Sequence, residues 1–370
     1  MTGQAAVRRQ APGKLFVAGE YAVMEPGHPS ILVAVDRHVT VTVRGCAGAD
    51  VVVDSDLSPE RARLRRHGGG LVPYGADGGQ VDGLGHVVSA IEVVDALLAG
   101  RGLPVSPVHV SVTSRLHRDG TKFGLGSSGA VTVATVTAVC AYHGVELSPD
   151  ERYRLAMLAT VRRDTGSSGG DLAASVWGGW IAYQAPDRTA VRDLAQRHGV
   201  EEAMRAPWPG LAVRGLPPPR ELALEVGWTG QPAVTSALAG RLDARRWRGT
   251  TSQRSFVARS DERVRAAIRA LEEGDDDELL RQVRGARRVL AALDDEVGLG
   301  IFTTRLTALC DAAEAVGGAA KPSGAGGGDC GIALLDATAR QDVTRMREKW
   351  AAAGVLPMPI RIQPTNGGLE

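Results

Sequence analysis

Residues 122–139 read KFGLGSSGAVTVATVTAV, a glycine-rich segment followed by a run of small and β-branched residues. The first eight residues include three glycines and two serines, and the ten that follow are all alanine, valine or threonine. Just before it, the alternating pattern VHVSVTS at 108–114 predicts a half-buried strand. The order is therefore strand, glycine loop, helix. A glycine-rich turn that opens a helix presents backbone N–H groups at the positive end of the helix dipole, which predicts a site for an anion such as a phosphate.

Six residues of this loop form the predicted phosphate-binding set: Lys122, Gly124, Gly126, Ser127, Ser128 and Gly129. The glycines leave the backbone bare for close approach by phosphate oxygens, and the lysine adds a movable positive charge. The serine hydroxyls can bind a phosphate, and Ser128 is also the predicted Mg2+ ligand. A glycine-rich loop standing alone is equally compatible with a flexible turn. The Walker pattern G-x-x-x-x-G-K-[ST] is absent from the sequence.

Strands and helices alternate in the rest of the N-terminal half. Strands are predicted where β-branched runs are broken by glycine, and helices where apolar residues recur every three or four positions. The predicted strands are ILVAVDRHVTVTV (31–43), ADVVVDS (49–55) and WGGWIAY (177–183), and the predicted helices are 85–100 and 149–163. Ser148 followed by Glu151 is typical of a capping box for the second helix. A further glycine-serine segment, DTGSSGGD at 164–171, precedes the last of these strands.

Proline-rich segments between Ala185 and Arg220 resist both helix interiors and central strands, so we expect the connection between two domains there. The C-terminal half carries helical periodicity at 263–274 and 277–298. It then reaches a third glycine loop, AKPSGAGGGDCGIALL, which runs into a predicted strand.

Composition excludes several classes of protein. The 370 residues, 44% hydrophobic, carry a formal net charge of +1, which gives no field to gather nucleic acid or a membrane surface. We therefore expect small-molecule partners and a cytoplasmic protein without signal peptide or membrane span. Four cysteines without C-x-x-C spacing are expected to be reduced, buried thiols: Cys46, Cys140, Cys310 and Cys330.

Three separated stretches carry a resemblance to a known family. They are APGKLFVAGEYAVMEPGHPSILVAV (11–35), KFGLGSSGAVTVAT (122–135) and KPSGAGGGDCGIALL (321–335). Their order and separation resemble the three motifs of the GHMP small-molecule kinases. Within that family, G-E-Y at 19–21 and the Lys122-Phe123 start of the second motif resemble the bacterial phosphomevalonate kinase branch. The stretches 164–183 and 226–238 are similar to that branch as well.

The resemblance implies an α+β fold with two domains. The N-terminal domain would contain a left-handed βαβ unit (ribosomal protein S5 domain 2-like), and the C-terminal domain would be ferredoxin-like. We expect residues 1–190 to form the ATP-binding N-terminal domain, 191–218 the connection and 219–370 the C-terminal domain. The active site would lie in the cleft between the domains, with ATP on the second motif.

The resemblance also implies the catalytic residues. SSGGD at 167–171 aligns with the family loop that bears a catalytic aspartate, which indicates Asp171, and the first motif indicates Lys14. The implied reaction is ATP-dependent phosphorylation of 5-phosphomevalonate to 5-diphosphomevalonate. A phosphomonoester has a second pKa near 6 and is mostly anionic at neutral pH, so a general base has little to remove. We therefore expect Lys14 to matter more than Asp171, because two anions must be brought together.

Candidates for holding the acceptor are Tyr21, Ser168, Thr235, Gly326 and Gly327. In the third loop, backbone N–H groups of Gly324 to Gly328 are expected to face the transferred group. Alternative functions are those of a mevalonate kinase, a homoserine kinase or another GHMP kinase, of diphosphomevalonate decarboxylase, or of a non-catalytic ligand sensor on the same fold. The implied small molecules are ATP, Mg2+ and 5-phosphomevalonate, and the chain is expected to be a monomer or homodimer.

Overall fold

The structure is a computed structural model that describes residues 5–56, 58–74, 83–118, 120–233 and 247–366. The described strands are β1 (Val7–Ala18), β2 (Pro29–Gly45), β3 (Val51–Ser55), β4 (Ser58–His67), β5 (Gly70–Pro73), β6 (Val108–Ser114), β7 (His117–Arg118), β8 (Thr121–Lys122), β9 (Trp180–Gln184), β10 (Ala212–Leu216), β11 (Leu222–Trp228), β12 (Ala319–Pro322), β13 (Cys330–Asp336) and β14 (Leu356–Met358).

The described helices are α1 (Gly85–Gly100), α2 (Ser127–Tyr142), α3 (Pro149–Arg163), α4 (Gly170–Trp177), α5 (Arg188–Arg205), α6 (Thr251–Glu273), α7 (Asp276–Val297), α8 (Thr304–Glu314) and α9 (Arg340–Ala352). None of the helices within the described ranges is both long and apolar enough to cross a bilayer.

Eight strands form the first sheet, in the order β10-β9-β2-β6-β3-β4-β5 with β1 paired to β2. The neighbours β3 and β6 are parallel, and the chain between them passes through α1. This is the expected βαβ unit. β2 is buried along its first seven residues because helices cover that part of the sheet, and it pairs antiparallel with β1, β6 and β9.

Helix α2 follows the glycine loop of the second motif (122–126, the second loop) and is the central helix of this half. It packs against β1, β2, α1, α3 and α4, and its apolar residues lie all around its axis rather than on one face. A helix that is apolar all round is buried, as the run of alanine, valine and threonine predicts. The cap predicted for α3 is also present: Ser148 Oγ accepts from Glu151 N, and the Glu151 carboxylate accepts from Ser148 N.

The second sheet has the order β12-β13-β11-β14 and is antiparallel throughout. Its first strand, β11, lies between the third and the fourth, and α9 connects β13 to β14. This order is that of the ferredoxin-like fold that the sequence predicts.

The two halves share buried contacts. One continuous apolar cluster includes residues of both sheets, such as Leu15 in β1 and Ile332 in β13. After β14 the chain returns to the first sheet, where Gln363 N donates to Ala34 O at 2.9 Å and Asn366 N donates to Trp177 O at 2.8 Å. The C-terminal segment thus ties the second half to the first.

Two segments have local structure that differs from the expectation. Residues 191–218, expected as a connection, contain most of α5 and the edge strand β10, which pairs with β9. The prolines lie outside these elements, so they mark the ends of the helix and strand. Trp177, expected in a strand, ends α4, and Gly178 at φ 70° turns the chain before β9 begins at Trp180. The domain limits themselves stay a prediction.

The prediction of buried thiols holds for three of the four cysteines. Cys140, Cys310 and Cys330 are buried, and Cys46 is half-buried, in the turn that follows β2. Burial raises the pKa of the Cys140 and Cys310 thiols to about 12. These two side chains are therefore core residues, and Cys46 corrects the prediction because it lies beyond the end of the strand.

Candidate active site

The three motif-bearing segments meet at β1. Phe16 N in β1 donates to Ser323 Oγ in the third loop at 2.8 Å, and Ser323 Oγ donates back to Phe16 O at 3.1 Å. Two residues earlier on the same strand, Lys14 N donates to Leu125 O in the second loop at 2.8 Å. One strand therefore holds the second and third glycine loops side by side.

Lys14 is the central cation of this junction. Its side chain is only 8% exposed and lies across Gly126, where a Cβ in place of the glycine hydrogen would come within 2.9 Å of Lys14 Cγ. Its Nζ is 5.2 Å from the centroid of the Phe16 ring and 3.9 Å from the Cβ position of Gly324. The ammonium group thus lies between the second and third glycine loops.

Asp171 reaches the same loop from α4. A Cβ on Gly129 would be 2.6 Å from Asp171 Oδ2, and Ser128 Oγ donates to that oxygen at 3.4 Å. The other carboxylate oxygen, Oδ1, accepts from Leu172 N at 3.0 Å. Since Asp171 is in the first turn of α4, the positive end of that helix stabilises its negative charge.

The N-termini of α2 and α4 are adjacent, because residues from their first turns touch. Each begins at a glycine with φ 76°, Gly126 and Gly169, and neither has a side-chain cap. Ser168 Oγ accepts from Gly170 N at 3.3 Å, which uses its hydroxyl within the α4 turn. Two helix dipoles therefore place partial positive charge around Lys14 and Asp171, as an anion site requires.

The glycines of the second loop are explained by protein side chains. A Cβ on Gly124 would be 2.3 Å from Asp329 Cγ, one on Gly126 would meet Lys14, and one on Gly129 would meet Asp171. The sequence reasoning assigned this space to phosphate oxygens. In the structure each of the three glycines makes room for an ionisable side chain, and the approach of phosphate oxygens stays a prediction.

The third loop differs from its predicted role as a row of free N–H donors. Gly327 N donates to Ile301 O at 2.9 Å, and Gly324 N donates to Glu20 Oε1 at 3.4 Å. A Cβ on Gly326 would come within 2.5 Å of the Ile301 side chain. The N–H groups of Gly324 and Gly327 are thus hydrogen-bonded within the protein, and contact of this loop with the acceptor stays a prediction.

Tyr21, predicted to hold the acceptor, holds the third loop. It has φ 61°, which is unusual for a bulky side chain, and its hydroxyl donates to Ala325 O at 2.5 Å. Burial raises the pKa of the Tyr21 phenol above its usual value, and the Asp294 and Glu20 carboxylates raise it further. The hydroxyl therefore remains a hydrogen-bond donor.

Sequence reasoning missed a buried ion pair next to Tyr21. Lys321, fully buried, donates to Glu20 Oε1 and, at 2.7 Å, to Pro322 O. Among the described residues, Glu20 Oε2 has no hydrogen-bond partner. The pair joins the first motif to the third, and the only sequence signal was the presence of both charges inside these motifs.

Asp329 was missed as well. It follows three glycines in the third motif, has φ 54°, and lies against Gly124 of the second. Burial raises the pKa of its carboxyl, while the hydrogen bond from Ala233 N and the charges of Lys14 and Lys122 lower it. A single acidic residue after a glycine run in an anion-binding loop was the available signal.

The remaining predicted residues are at the edge of the junction or outside the described ranges. Lys122 is exposed in β8, and the adjacent Phe123 is buried and packs edge-to-face on Trp228 of the second sheet, with ring centroids 5.2 Å apart. Thr235 lies outside the described residues. The described ranges contain no group of three or more His, Cys, Asp or Glu side chains able to hold a metal.

The oxygens of Ser128 and Asp171 nevertheless fit Mg2+. This ion keeps several waters and is bound through one or two protein oxygens together with substrate phosphates, so it needs no cage of protein ligands. Ser128 Oγ and Asp171 Oδ2 are 3.4 Å apart at the adjacent helix N-termini.

Comparison with known proteins agrees with this geometry. The family model of the GHMP kinases N terminal domain matches residues 86–179, which include α2 and α4, and the GHMP kinases C terminal model matches residues 267–352. A phosphomevalonate kinase from a Streptomyces species is 63% identical over 365 residues, which cover 97% of this chain and 98% of that protein.

Two further relatives extend the likeness. The chain superposes on Streptococcus pneumoniae phosphomevalonate kinase, solved in complex with phosphomevalonate and AMPPNP, with a TM-score of 0.83 and 27% identity, covering 97% of this chain and 99% of that one. A mevalonate kinase from Pyrococcus horikoshii is 27% identical over 96% of this chain and 95% of its own length.

Proposed function

The chain belongs to the GHMP kinase family, and we propose on that premise that it transfers the γ-phosphoryl group of ATP to 5-phosphomevalonate, giving 5-diphosphomevalonate and ADP. The observation that carries the proposal is the junction of Lys14 and Asp171 on the glycine turn that opens α2. The 63% identity to a phosphomevalonate kinase supports this acceptor over those of the sibling enzymes.

In the proposed site, the triphosphate of ATP lies at the N-terminus of α2. Backbone N–H groups at the start of the helix and the Ser127 hydroxyl would bind its oxygens, and the exposed Lys122 would cover them from the edge of the site. Gly124, Gly126 and Gly129 contribute by letting ionisable side chains approach the turn.

Lys14 is proposed to bring the donor and acceptor phosphates together. Its ammonium group lies between the second and third loops, where it can neutralise the charge that develops on the transferred group. The acceptor phosphate is already mostly anionic at neutral pH, since its second pKa is about 6. The acceptor phosphate therefore carries almost no proton for Asp171 to remove. The proposed task of Asp171 is to orient Ser128 and the metal.

Mg2+ would be held by Ser128 Oγ and Asp171 together with the phosphates of ATP. When bound, it would neutralise charge on the β- and γ-phosphates. The residues of this chain would do the remaining work of orienting both substrates.

For the acceptor, we propose the pocket bounded by the third loop and the α4 turn. Ser168, Thr235, Gly326 and Gly327 stay candidates for direct contact, and Tyr21 would act by holding Ala325. A monomer or homodimer in the cytoplasm also stays a prediction.

An acceptor panel tests the proposal. ADP release from Mg-ATP would be followed in parallel with 5-phosphomevalonate, mevalonate, 5-diphosphomevalonate and homoserine. Fast release with 5-phosphomevalonate alone is expected. Fast ADP release with another acceptor would identify that compound as the substrate instead. ATP binding without turnover of any of the four acceptors would favour a sensor.

A further inference from the structure

Asp329 has a backbone conformation that a glycine would adopt more easily. Its φ of 54° is in the left-handed region, and it follows Gly326, Gly327 and Gly328, which also have positive φ. A non-glycine residue there carries a conformational cost, and such outliers persist where the side chain is used. The run of glycines ends at Asp329, whose side chain contacts Ala233 on one side and Gly124 on the other.

On one side, Asp329 holds the segment 229–233 by three hydrogen bonds. Thr229 N donates to Asp329 O at 2.9 Å, Asp329 N donates to Gln231 O at 2.7 Å, and Ala233 N donates to Asp329 Oδ1 at 3.0 Å. A Cβ on Gly328 would be 2.6 Å from Gln231 O, so the segment and the loop are in direct contact.

On its other side, Asp329 faces the nucleotide-side loop. Its carboxyl carbon lies 2.3 Å from the Cβ position of Gly124, and the charges of Lys14 and Lys122 act on it. That loop does not depend on Asp329 for its shape, because Leu125 O accepts from Lys14 N and Phe123 N donates to Leu116 O. Removal of the carboxylate should therefore free the Ala233 end of the 229–233 segment, while the two backbone hydrogen bonds to Thr229 and Gln231 and the glycine turn of α2 stay in place.

We propose that Asp329 is a positioning residue that fixes the 229–233 segment as the acceptor-side wall of the active site, through the hydrogen bond from Ala233 N to its carboxylate. The proposal rests on the proposed function for the identity of the acceptor. The hydrogen bond, rather than the net negative charge, performs the task, so an amide oxygen at the same position should replace most of its effect.

Three variants separate this role from a merely structural one. Asp329→Ala removes the acceptor oxygen, Asp329→Gly also relieves the positive φ, and Asp329→Asn keeps an oxygen and tolerates the left-handed region. The matched control is Asp336→Ala, which removes an exposed aspartate at the far end of the same strand that accepts hydrogen bonds from Thr338.

Steady-state kinetics and calorimetric titration of 5-phosphomevalonate provide the readout. For the alanine and glycine variants we expect KM and Kd for 5-phosphomevalonate to rise roughly ten- to hundredfold, the effect of losing a hydrogen bond to a charged group. KM for ATP should change less than about twofold, because the α2 turn is held separately. The asparagine variant should recover most of the lost affinity, and the control should match wild type.

Each contrary result overturns the proposal. Unchanged acceptor affinity in Asp329→Ala would show that the segment is not positioned by this residue, and equal losses in the asparagine and alanine variants would assign the effect to charge. Parallel rises in KM for ATP and acceptor would indicate general damage. If wild type used a different acceptor, the proposed function would fail, and the same comparison on that acceptor would decide the role of Asp329.

Discussion

The side chain of Lys14 lies directly over Gly126, with Cγ 2.9 Å and Cε 3.0 Å from the position of a Cβ on that glycine. The cation and the first helical turn of α2 therefore form one packed unit. The same glycine caps the helix at φ 76°. Any side chain at this position must displace Lys14, which makes the contact the most direct structural link between the first and second motifs.

Gly126→Ala should abolish most activity. Its Cβ would push Lys14 away from the site, and we expect kcat to fall roughly 100-fold or more, as for loss of an electrostatic group that stabilises the transition state. The matched control is Gly144→Ala, which has φ 75° just beyond the other end of α2 with nothing within 4 Å of its Cβ position. Both variants carry the same backbone strain, so similar activity losses in the two would contradict the role of Lys14.

Lys14→Met and Asp171→Asn should differ in severity. If the acceptor is an anionic phosphate, loss of the cation should lower kcat by roughly 10²–10³, whereas loss of a carboxylate that removes no proton should cost less than the 10²–10⁴ typical of general acid-base catalysis. The measurement is kcat of both variants between about pH 5 and about pH 9, a range that includes the acceptor's second pKa. Equal losses across neutral pH would contradict the smaller role assigned to Asp171.

Tyr21→Phe should weaken acceptor binding through the third loop. The change removes the hydroxyl that donates to Ala325 O and keeps the ring. Since one hydrogen bond contributes about 1 kcal/mol, kcat/KM for the acceptor should fall roughly three- to tenfold. The control is Tyr74→Phe at an exposed position. An equal loss of kcat/KM in the control would show that the third loop is not the cause.

Lys321→Met removes the buried ion pair with Glu20 and should destabilise the protein more than loss of a surface ion pair would. It leaves the Glu20 carboxylate buried and unpaired, which costs about 3–5 kcal/mol. Urea denaturation would measure the free energy of unfolding. The double change Glu20→Gln and Lys321→Met should regain part of the loss, and Lys349→Met, an exposed control on α9, should have little effect. A loss no larger than that of the control would show that the pair is not needed.

The local parts of the fold were predictable from sequence. Helix α1 and strand β6 have the predicted bounds because their periodicity is strong, and α3 begins where the capping box predicts. Lys14, Ser128 and Asp171 converge as the family resemblance implies, although their individual roles stay predictions. These features depend on neighbouring residues or on family motifs.

The rest depends on pairs that are distant in the chain. Asp329 lies against Gly124 and Lys321 pairs with Glu20, and no local pattern connects residues about 200 or 300 positions apart. For the same reason, sequence reasoning assigned the space at Gly124 to a ligand. The expected connection contains α5 because its prolines were given more weight than the helical segment between them.

The acceptor atom is the central claim, and 31P NMR of the product tests it most directly. After incubation with Mg-ATP and 5-phosphomevalonate, the account predicts that the monoester signal is replaced by two mutually coupled diphosphate signals as ADP appears. A second uncoupled monoester signal would place the new phosphate on a hydroxyl, and would contradict both the assigned reaction and the minor role given to Asp171.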